Sequence, residues 1–595
     1  MIPPVRRDVL RVDLSTGAVG RERVPAEWRR RFVGGKGLGA RYLYEELDAD
    51  ADPLGPANAV ACFLGPLSGY LPGESRYAVV TKSPLTGAFL DSYSGGSFAD
   101  ALAGALPEAF GLLVTGRADQ PVRIDVADGE ASVEPADCWG ADTVETDAAF
   151  PDAAVACVGP AGESAVRFAT VASDGGDHHA GRGGAGAVLG AKRLKAVVVR
   201  GDAPSGLDGL RDRYDDAYRA DDTGRWRGAG GTVESIDFAN EVGILSTRGW
   251  QSGRFEDAGD IGIAAAREAA TEREDEGGLP GDFRVEADDG ETVPRGGALM
   301  SLGAGLGIDE FDAVAGLGAA CDRLGMDVIS AGNAVAWAVR AADRGVVDRD
   351  LAFGDVEGAR ALIEDVAARE TALGDALADG VDAASERFGG GDDDIPTVKS
   401  MELPAYDPRG AAGMALAYAT SDRGGCHRRA RPVEREVFDA DGWSVADRVA
   451  AVAAAQRTRS VLWSLVVDDF AGETLRDDLG AEWLAAVGLD YDPAELERAG
   501  ERIWTLVRLF NAREGFDRAA DELPDVFERP LEDGPAAGRA LDLGTFDRML
   551  DAYYDAWGWS RDGLPTPAAV SRLGLADVVD DETPLGTDPT EPDHD

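Results

Sequence analysis

The stretch GRGGAGAVLGAKRLKAVVVRG, residues 181–201, decides the reading of the fold. Its first six residues, Gly181-Arg182-Gly183-Gly184-Ala185-Gly186, satisfy G-x-G-x-x-G. A dinucleotide-binding fingerprint needs a strand directly before that pattern, a helix after it and an acidic residue about 20 positions on. Here the strand candidate AVRFATVAS (165–173) is separated from the motif by a polar loop, DGGDHHA (174–180). The text after it is short and basic before the next strand, so a doubly wound nucleotide-binding domain is not expected. The glycine loop still exposes backbone N–H and C=O groups to a phosphate or a bound ion. The plain alternative is a tight turn with packing glycines.

Upstream, the chain reads as short strands closed by Gly, Asp or Pro. VLRVDLSTGAVGRERV (9–24) is a hairpin, and YAVVTKSPLTG (77–87), FGLLVTG (110–116), PVRIDVADGEASVEP (121–135) and LKAVVVRG (194–201) each supply a strand. Helices are expected at about 36–48 and after Gly96. Downstream, GDAPSGLDG (201–209) is a linker and helical periodicity takes over. Phe311, Val314, Leu317, Cys321 and Leu324 form one apolar stripe. Gly345 stops the following helix, and others cover about 358–378, 446–466, 493–511 and 545–556. Residues 272–296, opening EREDEGGLPGDFRV, are expected as an exposed acidic loop. The fold class is α+β: a β-rich N-terminal domain (1–205), two mainly helical domains (206–395 and 396–580) and a disordered acidic tail (581–595).

The 595 residues hold 109 acidic and 59 basic side chains, a formal net charge of -50. Five of the basic residues are lysine. Such charge disfavours nucleic acid and anionic membrane and suits high salt, where repulsion is screened. The five cysteines are isolated and odd in number, which argues for a reducing compartment. Neither a signal segment nor a run of 18 apolar residues is evident. A cytoplasmic protein is expected.

Against that acidity, SDRGGCHRRA (421–430) sets arginines around a Gly-Gly turn beside Cys426 and His427. His178 and His179 lack partners at zinc spacing, and His594 lies in the tail. His427 is therefore the histidine to consider for chemistry. Asp322-Arg323-Leu324-Gly325-Met326-Asp327 closes a helix, and its aspartates suit the N–H groups of a heterocycle, or simply an acidic helix end. Arg76 suits a phosphate, or is one surface arginine among many.

Together these segments resemble the tungsten-containing aldehyde:ferredoxin oxidoreductases. The resemblance runs through SRYAVVTKSPLTG (75–87), SGGSF (94–98), VGPAGES (158–164), AGRGGAGAVLGAKRLKAV (180–197), LGAGLGIDEFD (302–312), CDRLGMDVISAGN (321–333), ELPAYDPRGAAGMALAYATSDRGGCH (402–427) and ERIWTLVRLFN (501–511). It implies tungsten (or molybdenum) held by the dithiolene sulfurs of two pterins, whose phosphates are bridged by magnesium. Arg76, the chain at Tyr93 and Gly95, and the loop Arg182-Gly183-Gly184 would handle the phosphate end. Asp322, Gly325, Met326 and Asp327 would hold one pterin, Arg429 would stand beside the second, and His427 would approach the substrate oxygen. The implied reaction is oxidation of a small aldehyde to a carboxylate. Dimers occur in the family, so a homodimer is a possible state.

Three departures stand out. Asp275, Gly278 and Asp282 fall where the family has three cluster cysteines, and the fourth, near Trp463, is also missing. A [4Fe–4S] cluster requires four thiolates as a rule, so it is expected to be absent, and any electrons would need a separate transfer partner. The second pterin motif reads TRSVLW (458–463), without its Asp or Gly. Gly297 lies near the place of a carboxylate that assists the chemistry. Two readings follow: an oxidoreductase whose electron exit is rerouted, or a non-redox cofactor-binding, assembly or regulatory paralogue.

Overall fold

The computed structural model describes residues 3–287, 290–390, 395–439 and 442–587. Two mixed six-stranded sheets form the N-terminal part. The first contains β1 (Asp8–Asp13), β2 (Ala18–Arg23), β3 (Val60–Phe63), β4 (Tyr77–Lys82), β5 (Phe89–Ser94) and β6 (Ala109–Thr115), in the order β2-β1-β6-β3-β4-β5. The second contains β7 (Val122–Ala127), β8 (Glu130–Pro135), β9 (Ala154–Cys157), β10 (Val171–Ser173), β11 (His178–Ala180) and β12 (Leu194–Arg200), in the order β11-β10-β9-β12-β7-β8. Strands β3 to β5 are buried along their whole length. That is why β3 reads VACF and β4 opens YAVV, while β5, FLDSYS, buries Asp91 and two serines as well, and the hairpin partner β2 is polar and exposed.

The expected hairpin forms, with Asp13 opposite Ala18. Two side-chain bonds join the sheets beside β5: Ser92 Oγ donates to Gly181 O just after β11 (2.8 Å), and Ser173 Oγ, at the end of β10, donates to Gly95 O (3.2 Å). They set Tyr93–Gly95 beside the glycine loop. The motif at 181–186 does follow a strand, the three-residue β11, but that strand pairs antiparallel with β10 and the helix after it has seven residues. The geometry is not that of a dinucleotide fold.

The C-terminal part is mainly helical. Phe311–Leu324 buries its apolar stripe and ends at Gly325, whose φ of 73° is left-handed. Val445–Leu465 begins with a capping box between Ser444 and Asp447. Its end meets the N-terminal part so closely that a Cβ on Gly65 would lie 1.8 Å from Leu465 O. Pro493–Arg513 and Leu543–Trp557 pack around it, through Trp504, Tyr553 and Trp557.

Four expectations need correction. Residues 272–296 are not an exposed loop. They include β13 (Ala270–Asp275), β14 (Pro280–Ala287) and β15 (Gly290–Thr292), with Asp282 fully buried. The helix expected over 358–378 is two, Val356–Ala368 and Ala372–Leu377, broken at Arg369 in a left-handed conformation. The two histidines of DGGDHHA belong to strand β11. Of the segment expected as a tail, residues 581–587 pack back onto the chain: Thr583 is buried and Gly586 N donates to Pro565 O at 3.0 Å. Residues 588–595 lie outside the described residues.

All five lysines have buried side chains: Lys36, Lys82, Lys192 and Lys195 are at most 4% exposed, and the Lys399 side chain is at 0%. The positive charge at the surface is therefore arginine. No helix among the described residues is long and apolar enough to cross a membrane.

Candidate cofactor cavity

A cavity of about 320 Å³ opens where the two sheets meet the helical part. Among its lining residues are nine arginines and four aspartates, with no lysine or glutamate. In a chain of net charge -50 this reversal needs a cause. Fixed cations around a pocket are the electrostatic match for an anionic ligand.

Nine of the twelve sequence-predicted residues line it: Arg76, Tyr93, Gly95, Arg182, Asp322, Met326, Asp327, His427 and Arg429. Gly183, Gly184 and Gly325 do not; they shape the turns behind it. Arg182, Gly183 and Gly184 all have positive φ (68°, 75° and 86°). A Cβ on Gly184 would lie 2.1 Å from Arg167 O. Gly325 was expected to bring backbone to a ligand. It brings backbone to Gly159 instead, where a Cβ would meet N at 2.8 Å.

The predicted arginines differ in freedom. Arg76 is held by Asp468 (2.6 Å) and Glu74 (3.1 Å). Arg429 is held by Asp422 (2.6 Å) and by Asp91, and stacks over Trp463. Neither is a free anion clamp. Arg182 donates to Gly425 O at 2.9 Å and to Glu402 O, but its Nη1 is buried without a hydrogen-bond partner, as is Arg423 Nε. Buried orphan donors of this kind carry a desolvation cost that a bound acceptor relieves. Asp327 accepts from Ser330 N at 3.0 Å and so caps the next helix. Asp322 lies 3.2 Å from His179 Nε2, and burial pushes its carboxyl up to about 8.

His427 is half-buried beside Tyr406, ring centroids 5.5 Å apart. Neither ring nitrogen makes a hydrogen bond to a described residue. Burial, then the guanidiniums of Arg431 and Arg428, hold its pKa well below the usual imidazole value. It is a neutral imidazole able to offer an N–H or a lone pair into the cavity. Cys426 is buried and is not among the residues that line the cavity. Burial raises its thiol pKa, but Arg423, Arg429 and Arg182 outweigh burial and bring it to about 7, with Arg423 Nη2 donating to Sγ at 3.1 Å.

The expected cluster positions are otherwise occupied. Asp275 ends β13 and Gly278 sits in the turn to β14, and both are exposed. Asp282 accepts from Arg227 (2.7 Å), Arg295 (3.1 Å) and Thr232 N (2.6 Å). Arg227 also pairs with Glu276, and Arg295 with Glu274 at 3.1 Å. His178 Nε2 lies 3.3 Å from Glu74, which joins this group to Arg76 and Asp468. Oxygens of Glu274, Glu276 and Asp282 converge within 4.8 Å, but all three are already ion-paired with Arg227 or Arg295. Trp463, where a fourth thiolate is expected, stacks on Tyr93 (5.3 Å, 26°) and donates to Asp469 at 2.8 Å. No cysteine lines the cavity among the described residues. This donor set is carboxylate and guanidinium, and it does not fit an iron–sulfur cluster.

The second motif copy also differs in shape. In the first copy the helix stops at Leu324, with Gly325 left-handed. In the second, Val461 stays helical and the helix runs on to Leu465. That extra turn carries Trp463 to the cavity wall. From sequence, His178 and His179 were discounted for want of zinc spacing, Trp463 was noted only as the place of a missing cysteine, and the charge network was not foreseen. The one available signal for the network was the alternation of acid and arginine in EREDE, which looks like a solvated surface.

Two family models match the chain. They are described as the aldehyde ferredoxin oxidoreductase N-terminal domain, over residues 9–201, and its domains 2 and 3, over residues 210–575. The tungsten-containing aldehyde ferredoxin oxidoreductase of Pyrococcus abyssi is 33% identical, covering 96% of this chain and 99% of that protein. Its counterpart in Thermococcus kodakarensis is 34% identical, with the same coverage. The aliphatic sulfonate oxidoreductase, WOR-like subunit, of Pyrococcus furiosus is 25% identical over 96% of this chain and 97% of its own length. Among solved structures, the active site complex BamBC of benzoyl coenzyme A reductase, in complex with 1,5-dienoyl-CoA, shares the fold. Its TM-score is 0.80 at 21% identity, covering 97% of this chain and 98% of that one. With both family models matched across nearly its whole length, the chain belongs to the aldehyde ferredoxin oxidoreductase family.

Proposed function

We propose that this protein oxidises an aldehyde to a carboxylate at a tungsten (or molybdenum) bis-pterin centre held in the arginine-lined cavity. The observation that carries the reading is convergence. Residues from four separated segments, around 76–95, 181–182, 322–327 and 427–429, meet at one cationic cavity in a strongly acidic chain. The residues there fit the phosphate end of such a cofactor. Arg182 Nη1, 3.7 Å from Asp327, and Arg423 Nε are each buried without a hydrogen bond, and Gly95 and Gly181 line the cavity. Magnesium at the phosphate end would belong to the same reading.

When bound, the metal–pterin group supplies carbonyl polarisation and uptake of the electron pair. The chain's own part is positioning. His427, neutral and unbonded, is placed to orient the aldehyde oxygen or to take a proton from the water that supplies the second oxygen of the carboxylate. Asp322 and Asp327, which line the cavity, would hold the ring donors of a pterin. Because the residues at 275–282 and 463 do not fit a cluster, we derive no electron path through one. The electrons pass to a separate transfer partner. The three-domain division at 205 and 395, a cytoplasmic location, a high-salt habitat and a possible homodimer remain parts of this proposal.

A second reading, a cofactor-binding, assembly or regulatory protein without turnover, is favoured by one observation: the charge network seals the place of the electron exit. Dye-linked aldehyde oxidation by protein purified from its native host separates the two. Turnover in step with tungsten content supports the enzyme. Bound tungstopterin without turnover on any aldehyde supports the second reading.

A further inference from the structure

Five buried carboxylates in the place of the expected cluster share three guanidiniums. Glu74, Glu274, Glu276, Asp282 and Asp468 are each at most 9% exposed. Their partners are Arg76, Arg227 and Arg295, and all three line the cavity. Arg273 stands beside them but bonds the carbonyls of Gly281 and Gly228. Fully ionised, the group would hold five negative charges against three positive ones, out of water. Such a surplus is costly, and a bound proton relieves it. Glu74 Oε2, 3.1 Å from Arg76, and Glu274 Oε2 are both buried without a hydrogen bond.

The carboxyls differ in how firmly they hold charge. Burial acts to raise them all. For Asp282 and Asp468, Arg227 and Arg76 outweigh burial and hold both below the ordinary carboxylate value. For Glu276, burial prevails over Arg227, Asp468 adds its repulsion, and the carboxyl is pushed up to about 7. Burial raises Glu74 as well. Tyr218, raised by burial and then by Asp468, stays protonated beside them.

A route joins this group to water. His178 Nε2 lies 3.3 Å from Glu74 Oε1 and 4.0 Å from Glu274 Oε1, whose carboxylate lies within 4.8 Å of Glu276. Toward the surface it lies 4.0 Å from Oδ2 of the partly exposed Asp174, which accepts from the exposed Ser97 N at 2.9 Å. Steps of 4.0 Å are of the length that one water bridges. Gly96, with a φ of 85°, leaves the gap: a Cβ there would overlap Asp174 and come within 2.9 Å of the His178 ring. Burial, then Arg295, hold the His178 pKa down to about 4, against Glu274 and Asp177. The ring is therefore neutral, with one N–H and one lone pair, and passes a proton without storing it. Burial raises the Asp174 carboxyl to about 6 against its Ser97 bonds, with Asp147 and Glu74 adding to it.

We propose that this group is a proton store for the cavity, which takes up a proton when electrons reach the bound centre and returns it to water through His178 and Asp174 as they leave. An electron added nearby repels the carboxylates and raises their proton affinity. Water supplies the proton, one carboxylate becomes a carboxyl group, and no bond to substrate changes. The trigger rests on the oxidoreductase reading; the stored proton does not. The readout is proton uptake, since His427 and not this group meets the substrate.

Two measurements test it in wild type, Glu276→Gln and Asp174→Asn. Infrared spectra follow the carboxyl C=O band from pH 5.5 to 8.5, with metal content assayed alongside. Tungsten-loaded protein is then reduced at an electrode through a viologen mediator, and a pH indicator reads the protons taken up. We expect a band that titrates near 7 and is lost in Glu276→Gln. Reduction should take up about one proton per tungsten in wild type and less than half of that in Glu276→Gln. Asp174→Asn should take up as much, but roughly tenfold or more slowly, as for loss of a positioned acid or base. No carboxyl titrating between pH 6 and 8 in wild type overturns the proposal, whether or not the variants fold. So does a titrating band without proton uptake on reduction. A stoichiometric divalent cation that is lost from Glu276→Gln also overturns it, because the metal would then meet the surplus charge. The titrating band in protein that holds no tungsten supports the store and counts against the cofactor reading alone.

Discussion

Asp282 and Arg227 form a fully buried ion pair at 2.7 Å, at a position where the family resemblance places a cluster cysteine. Thr232 and Arg295 complete the coordination of the carboxylate. Removing one member of such a pair leaves an uncompensated buried charge. Asp282→Ala should therefore destabilise the protein by about 3–5 kcal/mol. Denaturant unfolding at fixed high salt measures it. A loss below about 1 kcal/mol, as expected of exposed pairs, would show that the network is incidental.

Trp463 is 2% exposed and sits between Tyr93, Arg429 and the cavity. Trp463→Ala should cost about 3–5 kcal/mol from lost burial and a residual void. Trp463→Phe, which keeps a ring on Tyr93, should cost less. Equal losses for the two variants would mean that stacking contributes nothing beyond volume.

His427→Ala should retain tungsten and pterin while lowering kcat by about 10²–10⁴, the usual weight of a positioned acid or base. The pH profile carries a second test. Burial and the flanking arginines depress the imidazole pKa, so the neutral form persists on lowering the pH through 6.5. Activity should show no inflection near 6.5. It should fall only at distinctly lower pH, where the folded-state group finally protonates. A titration centred near 6.5 that vanishes in the variant would contradict the geometry described for His427.

Gly297 lines the cavity, and a Cβ built there meets nothing closer than 3.8 Å. Gly297→Glu should therefore fold without strain. If a carboxylate near this place assists oxidation, the variant should raise kcat for aldehydes and add a carboxylate limb to the pH profile. An unchanged kcat in a well-folded, tungsten-loaded variant would place the expected carboxylate elsewhere in the register.

Much of the architecture was legible because burial leaves a periodic trace. The stripe from Phe311 to Leu324 and the helix Val445–Leu465 show it, and the apolar run at 77–80 announced the buried strand β4, whereas β3 and β5 were not read as strands. The motif residues of the cavity were legible through resemblance. What stayed hidden was charge paired with charge across long sequence separations. Arg227 and Asp282 are 55 positions apart, and each alone reads as solvated surface. Hence 272–296 looked like a loop, and Arg76 and Arg429 looked free when both are held by carboxylates. His178 and His179 were discounted by metal spacing, but the fold turns their strand edge into a cavity wall. Trp463 reached the cavity only because a helix without its glycine ran one turn further.

The central claim is a tungsten–pterin site without an iron–sulfur cluster of its own. Metal analysis and low-temperature EPR of the dithionite-reduced protein, purified from its native host, test it most directly. The expected result is tungsten or molybdenum close to one per chain, iron well below stoichiometric, and no cluster signal. Iron near four per chain with a [4Fe–4S] spectrum would contradict the account, as would a protein containing neither tungsten nor molybdenum.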